Sequence, residues 1–316
     1  MKKKSLIYLL LLFTFQLQAA DYFWVGGSGN WSDLNHWRLG SSMGSIPGIV
    51  PSLNDNVFFT VESGFTAVSK TVTINANAFC NDMTWDAGIT NNPILTKTGT
   101  SRLTINGNFT FNPTVTFTNI LADLSGSTNN VLTTNGTITG TLTLTINKPG
   151  GGITLADNYI YTSPTLTSNT LELTAGFLDA QGKTLNFYQL TSNNTNNRLI
   201  NISNGLVEAS IIDIRGVNKT INASASVINS TRFYVDEGIF NEVNLATVSA
   251  IYLDINNTTF QRLVFTNIAA NSQARIHSNN VVDTLIFRGS GSIRNNYNIV
   301  NNVLFEGGAT IGGIGN

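Results

Sequence analysis

The second half of the chain carries a repeat with a step of about 20 residues. The hexamer Phe240–Leu245 has the order apolar, two other residues, apolar, any residue, apolar, and this order recurs at 260–265, 282–287 and 300–305. The last apolar positions fall at 245, 265, 287 and 305, which gives steps of 20, 22 and 18 residues. A near-constant step of this length is typical of a solenoid. A propeller blade needs about twice as many residues, so the step argues against a propeller.

Short runs with every second residue apolar fill most of the chain after residue 100, as in 140–147 and 184–188. This alternation is the pattern of half-buried strands, and no segment beyond residue 20 has a helical period. Leucine-rich repeats share the step, but their fixed Leu/Asn framework is absent. We therefore predict an all-β fold, a right-handed parallel β-helix with an aromatic N-terminal cap, and an antiparallel β-sandwich array remains the alternative architecture.

The repeat also predicts which side chains point inward. These positions are Val243, Leu245, Leu263, Phe265, Leu285, Phe287, Val303 and Phe305. Composition agrees with the fold, because the chain contains 43 Asn and 40 Thr among 316 residues. Asn tolerates the left-handed backbone of tight corners and can form hydrogen-bonded ladders between coils, and Thr suits a half-exposed strand face.

The first 20 residues have the layout of a secretory signal. Lys2–Lys4 supply the positive start, Leu6–Leu17 an apolar stretch too short to span a bilayer, and Ala19-Ala20 a small-residue cleavage site. Cleavage after Ala20 is predicted, and the remaining chain has a net charge of −4. The sequence thus predicts an exported protein with no transmembrane segment, and the lack of basic excess argues against nucleic-acid binding.

The mature chain opens with three aromatic and glycine-rich motifs at 21–37, 46–59 and 78–85. The order Trp-x-Gly-Gly-x-Gly-Asn-Trp-Ser-x₄-Trp, then Pro-x₃-Asp-x-Val-x-Phe, resembles the start of bacterial adhesin-like surface proteins that continue into β-helical repeats. The resemblance covers residues 22–85. It implies a secreted protein on the surface of a Gram-negative bacterium, often far longer than 316 residues.

The tryptophans of these motifs are the candidate site residues, and two roles remain open for them. They are Trp24, Trp31, Trp37 and Trp85. The first coil of a solenoid exposes an apolar face, which four large rings beside glycine turns could cover. Alternatively, exposed rings could form a carbohydrate-binding platform. We favour the cap.

The sequence contains only weak indications of a catalytic or metal-binding site. Asp236-Glu237 is the one adjacent acidic pair and precedes Gly238, which predicts a turn. Arg275 and His277, with Asp283 nearby, are the residues that a β-helix polysaccharide lyase or hydrolase would use here. His36 lies within the aromatic motif and is assigned a structural role.

Cofactor binding is not expected. Calcium at Asn54–Asn56 is the weak alternative, and an Asx turn is the favoured interpretation. Cys80 is the single cysteine, so no internal disulfide can form, and we interpret it as a small buried residue.

Three segments are therefore predicted: a signal peptide at 1–20, a Trp-rich cap module at 21–95 and β-helix repeats at 96–316, with the repeats continuing beyond the C-terminus in a longer protein. The predicted function is a non-catalytic stalk or adhesin at the cell surface. Its partner would be a surface polysaccharide or a protein. The alternatives are a carbohydrate-binding module and a β-helix polysaccharide lyase or hydrolase.

Overall fold

The structure is a computed structural model that describes residues 19–246, 254–266, 279–288 and 298–306. About 58% of the chain is in strands, and the described residues contain no α-helix. Two 3-10 helices, Leu34–His36 and Val61–Ser63, join strands near the N-terminus. No helix in the described part of the chain has the length and apolarity to cross a membrane.

Twenty-two strands are described. The first eleven are β1 (Asp21–Trp24), β2 (Gly29–Asn30), β3 (Trp37–Leu39), β4 (Asn56–Phe59), β5 (Thr71–Ile74), β6 (Ala78–Cys80), β7 (Met83–Trp85), β8 (Ile94–Lys97), β9 (Leu103–Ile105), β10 (Phe109–Thr110) and β11 (Thr116–Leu124). The others are β12 (Asn129–Thr133), β13 (Thr137–Leu155), β14 (Tyr159–Tyr161), β15 (Thr170–Asp179), β16 (Leu185–Thr191), β17 (Arg198–Asn201), β18 (Leu206–Ile214), β19 (Lys219–Leu245), β20 (Asp254–Phe265), β21 (Val281–Phe287) and β22 (Ile299–Phe305).

Successive coils stack through parallel strand pairs and form a β-solenoid of about 10 turns. The strand β13 shows the shape of one coil, because its start pairs with β14, its middle with β11 and its end with β12, and β15 pairs with both the middle and the end. One continuous strand thus contributes to three separate ladders by bending between them. The predicted all-β parallel β-helix is confirmed. In the described part of the chain, β1 with β3 is the one antiparallel pair.

The register of the ladders reproduces the sequence repeat. Leu245 pairs with Phe265, Phe265 with Phe287, and Phe287 with Phe305. The first apolar position of the hexamer follows the same rule, since Phe240 pairs with Phe260. The repeat therefore marks one coil. Earlier coils are longer, as the pairs Val57 with Met83 and Thr71 with Ile94 show.

The interior of the coils is apolar over the described length. Six of the eight predicted inward residues, from Val243 to Phe287, have no exposed surface. Val303 and Phe305 follow the same register, since Val303 pairs with Leu285 and the Phe305 ring stacks on Phe287 at 5.5 Å, but their side chains are 41% and 49% exposed. They belong to β22, which pairs among the described strands only with β21, so only one neighbouring coil covers them.

Asparagine occupies the left-handed corners, as its abundance predicts. Among the described residues other than glycine with positive φ, eight of ten are Asn. They are Asn91, Asn92, Asn119, Asn135, Asn204, Asn218, Asn257 and Asn279. Amide ladders between coils also form, because Asn81 Nδ2 donates to Asn56 Oδ1 at 3.0 Å. The short polar side chain lowers the strain of this conformation at each corner.

The predicted boundary at residue 95 falls inside a ladder. The strand β8 contains residue 95 and pairs in parallel with β5 on one side and with β11 on the other. Parallel stacking thus already runs through the segment 21–95, from the pairing of β1 with β4 onward. The aromatic segment forms the first coils of the same solenoid.

Replacement of a corner Asn by Ala tests this account of the composition. Asn204 is exposed and has φ of 62°, so Asn204→Ala should lower the free energy of unfolding by about 1 kcal/mol, because a Cβ without a local polar partner is strained there. Asn204→Gly should be neutral. The matched control is Asn147→Ala, at an exposed Asn with negative φ. Urea-unfolding midpoints measure all three, and equal losses at Asn204 and Asn147 would refute the explanation.

Candidate functional site

The four candidate tryptophans lie in the core of the first coils. Their exposed fractions are 0% for Trp24 and Trp37, 2% for Trp31 and 1% for Trp85. Trp24 and Trp37 face each other across the antiparallel pair of β1 and β3. With Phe59 these rings form one cluster, which we call the aromatic cluster.

Edge-to-face and stacked contacts fix the rings of the aromatic cluster. The Trp37 ring meets Trp24 at 5.0 Å and Trp31 at 4.9 Å, both nearly perpendicular. Trp85 stacks on Phe59 with 3.7 Å between ring centroids. Such pairs contribute about 0.5–1.5 kcal/mol each beyond the area they bury. The cluster is therefore a rigid start to the solenoid, as a cap requires.

A glycine turn and one histidine close the side of the aromatic cluster. Gly26 and Gly27 have φ of 83° and 71°, which the tight turn after Trp24 requires. The His36 ring stacks on Trp24 at 4.7 Å, and its Nδ1 lies 2.7 Å from the Val25 carbonyl oxygen. A Cβ at Gly29 would lie only 2.0 Å from the same ring. The structural role predicted for His36 and for the glycines therefore has a physical basis.

Burial decides between the two roles considered for the tryptophans. The indole N–H groups of Trp24 and Trp37 donate to the carbonyl oxygens of Gly27 and Trp31. The N–H groups of Trp31 and Trp85 are buried and have no partner within the described residues. With no ring face open to solvent, the four residues cannot serve as a sugar-stacking platform. The alternative of a carbohydrate-binding platform built from these four tryptophans is therefore wrong.

A shallow groove of about 300 Å³ lies on the outer surface of later coils. Its floor includes Asn186, Glu208 and Asn229, which are aligned in register on β16, β18 and β19. The loop at Pro164 and Thr165 forms a wall. The composition of the chain does not indicate this groove. The three polar positions are 22 and 21 residues apart, which matches the repeat, so the sequence could have shown that these side chains line up on successive coils.

We call Asn186, Glu208, Asn229 and the neighbouring Asn244 the polar row, and side-chain hydrogen bonds join these residues in two pairs. Asn186 Nδ2 donates to Glu208 Oε2 at 2.8 Å, and Asn244 Nδ2 donates to Asn229 Oδ1 at 3.0 Å. The Oδ1 atom of Asn244 is buried without a partner within the described part of the chain. The amide groups can donate to and accept from the hydroxyl groups of a ligand, and the carboxylate can accept from them.

Two buried cations, which the sequence analysis missed, hold corners of successive coils. Lys148 has no exposed surface, and its Nζ donates to the carbonyl oxygens of Asn106, at 2.9 Å, and of Ser125. Lys148 thus joins its own coil to the two coils before it. No carboxylate lies within ion-pair distance of it among the described residues. Burial lowers the pKa of Lys148 to about 8.

Arg198 plays a similar part at another corner. Its side chain is 4% exposed, and its guanidinium donates to backbone carbonyl oxygens. The acceptors are Ser192, Asn194, Asn196, Arg215 and Val217. Desolvation lowers the pKa of Arg198, since a guanidinium surrounded by neutral dipoles gains less than one in water. All these bonds serve the fold and leave little donor capacity for a ligand.

The remaining candidates have structural partners. Glu237 has φ of 65°, so the predicted turn at Asp236-Glu237 is present as a bend within β19. Asp283 accepts from Asn301 Nδ2 at 3.2 Å. Arg275 and His277 lie outside the described residues. Cys80 is buried, as predicted, and burial raises its thiol pKa well above the usual value.

The proposed calcium segment forms a turn in which the Asp55 backbone N donates to the Ser52 carbonyl oxygen at 3.0 Å, in place of the Asx turn that we expected. Asp55 Oδ2 accepts from the backbone N and the Oγ of Ser52, at 2.9 and 2.6 Å. Oδ1 accepts from the backbone N of Ala20 at 3.1 Å. Within the described ranges, no group of three or more His, Cys, Asp or Glu side chains is placed to hold a metal ion.

Comparison with known proteins gives no relative. Neither the protein-family models, nor the curated proteins, nor the solved structures contain a match to this chain.

The pH dependence of stability tests the buried lysine. The folded pKa of about 8 lies below the ordinary value of 10.5, so the unfolded chain binds more protons between these values. The free energy of unfolding should therefore rise with pH across this window, by up to about 3 kcal/mol from this group. Urea unfolding at pH 7.5, 9 and 10.5 measures the slope.

The control for this prediction is Lys148→Met, which keeps the apolar stem and removes the titrating group. Burial also raises the pKa values of Cys80 and Tyr22, so these side chains add their own pH dependence and the difference between the two proteins is the relevant quantity. When the free energy of unfolding of the variant is subtracted from that of the unmodified protein, the difference should rise with pH. Parallel curves for the two proteins would contradict the assignment.

Proposed function

We propose that this protein is an exported bacterial surface protein whose β-helix serves as a stiff, non-catalytic stalk of the adhesin type. The observation that carries the proposal is the stacking of parallel strands, coil on coil, from β4 to β22. Each coil is hydrogen-bonded to its neighbours along several ladders, so bending would break many bonds together. A molecule of this kind is suited to present a surface at a distance from its point of attachment.

The surface chemistry supports the same role. The outward positions of the strands carry mainly Thr and Asn, with few charges, since only 11% of the chain is charged. Some acidic side chains are paired locally, as in the contact of Arg215 Nε with Asp213 Oδ1 at 2.7 Å. A neutral, hydrogen-bonding exterior on a rigid rod favours adhesion through extended contact over chemistry at one point.

Cell fractionation tests the export part of this proposal. The full chain, expressed in a Gram-negative host, should be recovered from the envelope or medium and should react with a membrane-impermeant amine reagent on intact cells. Replacement of Leu9 and Leu10 by Arg, which interrupts the apolar stretch, should retain the protein in the cytoplasm. Equal cytoplasmic retention of both proteins would overturn the proposal.

A second function, binding of a neutral polysaccharide, is favoured by the groove. The polar row offers amide and carboxylate groups at the repeat distance of the coils, about 4.8 Å, beside the wall at Pro164 and Thr165. Hydroxyl groups of a sugar chain could both donate to and accept from these side chains. This form of carbohydrate binding uses residues of the outer surface and leaves the tryptophans in the core.

A polysaccharide array with the exported protein tests the groove. Because the tryptophans are buried, binding should be followed by surface retention and titration calorimetry, with products analysed by chromatography. The double variant Asn186→Ala, Glu208→Ala should weaken binding at least ~10-fold, since each lost charged or amide hydrogen bond contributes about 1 kcal/mol or more. The matched control is Asn201→Ala, which removes the same kind of amide–carboxylate pair, to Asp179 at 2.8 Å, on another face.

The outcomes separate the candidate functions. Binding that the double variant loses and the control retains supports an adhesin that holds polysaccharide in the groove. Binding unaffected by both variants excludes the groove as the site. Release of shortened or unsaturated sugars by the unmodified protein would contradict the non-catalytic proposal and favour the lyase or hydrolase alternative.

A further inference from the structure

Ala20, the last residue of the predicted signal peptide, belongs structurally to the first coil. Its backbone N donates to Asp55 Oδ1 at 3.1 Å, and its carbonyl oxygen accepts from the Asn56 backbone N at 2.8 Å. The second of these bonds extends the parallel pairing of β1 with β4, in which Asp21 is aligned with Asn56. The Ala20 side chain packs against the apolar core.

Asp55 depends on this contact. The carboxylate is only 8% exposed, and its Oδ2 is occupied by the backbone N and hydroxyl of Ser52. Within the described residues, the Ala20 backbone N is the hydrogen-bond donor to Oδ1. A nearly buried carboxylate oxygen that loses its donor is costly, because water cannot fully replace the bond.

The position of signal cleavage therefore decides whether the first coil is complete. Cleavage after Ala20 would remove the donor to Asp55 and the acceptor for the Asn56 N–H. Cleavage after Ala19 would keep both. It would also convert the Ala20 amide into an ammonium group beside the Asp55 carboxylate, and a charge-assisted hydrogen bond is stronger than a neutral one.

We propose that the chain is processed between Ala19 and Ala20, one residue before the site that the sequence pattern predicts, and that the new α-ammonium group binds Asp55. A signal-type peptidase adds water across the Ala19–Ala20 amide bond, leaving a carboxylate on Ala19 and the ammonium on Ala20. Ala19 then supplies the small residue before the bond, as Ala20 would for the later site, and Leu17 takes the place of Gln18 three residues before it. This inference rests on the proposed export.

The N-terminus of the exported protein tests the site. The full chain is expressed in a Gram-negative host, and the mature protein is characterised by intact mass and N-terminal sequencing. The expected sequence starts Ala20-Asp21-Tyr22. A start at Asp21 overturns this inference alone, whereas a protein that retains residues 1–19 overturns the proposed export as well.

Selective acetylation tests the role of the new ammonium group. Near neutral pH the α-amino group of the exported protein is acetylated in preference to lysine side chains, because it is the less basic amine. Acetylation removes the charge but leaves an amide N–H that can still donate to Asp55. The melting temperature should therefore fall by ~2 °C, the shift expected in a chain of this size from the difference between a charge-assisted and a neutral hydrogen bond. An unchanged melting temperature overturns the proposed ion pair.

Variants show whether the effect passes through Asp55. In Asp55→Asn, acetylation should no longer change the melting temperature. In the matched variant Asp21→Asn, which neutralises an exposed carboxylate next to the same terminus, acetylation should have its full effect. If Asp55→Asn fails to fold, Ser52→Ala replaces it: that change removes one donor from Oδ2 only, so the acetylation effect should persist. A general charge effect, which would contradict the proposal, predicts loss of the response in Asp21→Asn.

Discussion

Hydrogen bonds between equivalent positions of successive coils are the constraint on which the rest of this molecule depends. Each coil supplies the template for the next, so an apolar residue at an inward position must be followed by another one coil later. Phe265, Phe287 and Phe305 follow this rule in the ladders. The same rule places Asn186, Glu208 and Asn229 in one line on the outside. Core and surface are thus two consequences of one register.

The repeat could be predicted from the sequence because the strand register of a solenoid is set by the spacing between neighbouring repeats along the chain. The step of about 20 residues predicts which residues stack on each other, and the alternation of every second residue predicts which side chains face inward. The structure agrees for Val243, Leu263 and Leu285. Val303 keeps this register but is 41% exposed, because its strand pairs with only one other strand among the described residues. A repeat pattern predicts the direction of a side chain and not how completely it is covered.

The polar interior could not be predicted in this way. Lys148 and Arg198 follow no repeat, and each is satisfied by carbonyl groups that several coils bring to one corner. The identity of these acceptors depends on the path of the backbone through the turns, which side-chain patterns do not encode. The tryptophans could be picked out from the sequence as a group, but only their contacts and burial distinguish a cap from a binding platform.

The aromatic cluster has a consequence for how such a chain reaches its final shape. Its ring contacts join residues at most 35 positions apart, the separation of Trp24 from Phe59 and of Phe23 from Phe58. Short loops close at a small entropic cost, so this region can assemble without the remainder of the polypeptide. In a chain that crosses a membrane with its N-terminus leading, the first segment to emerge can thus act as a folding nucleus. Every later coil then pairs with the open strand edges of a coil that has already folded. Translocation and folding then proceed in the same direction.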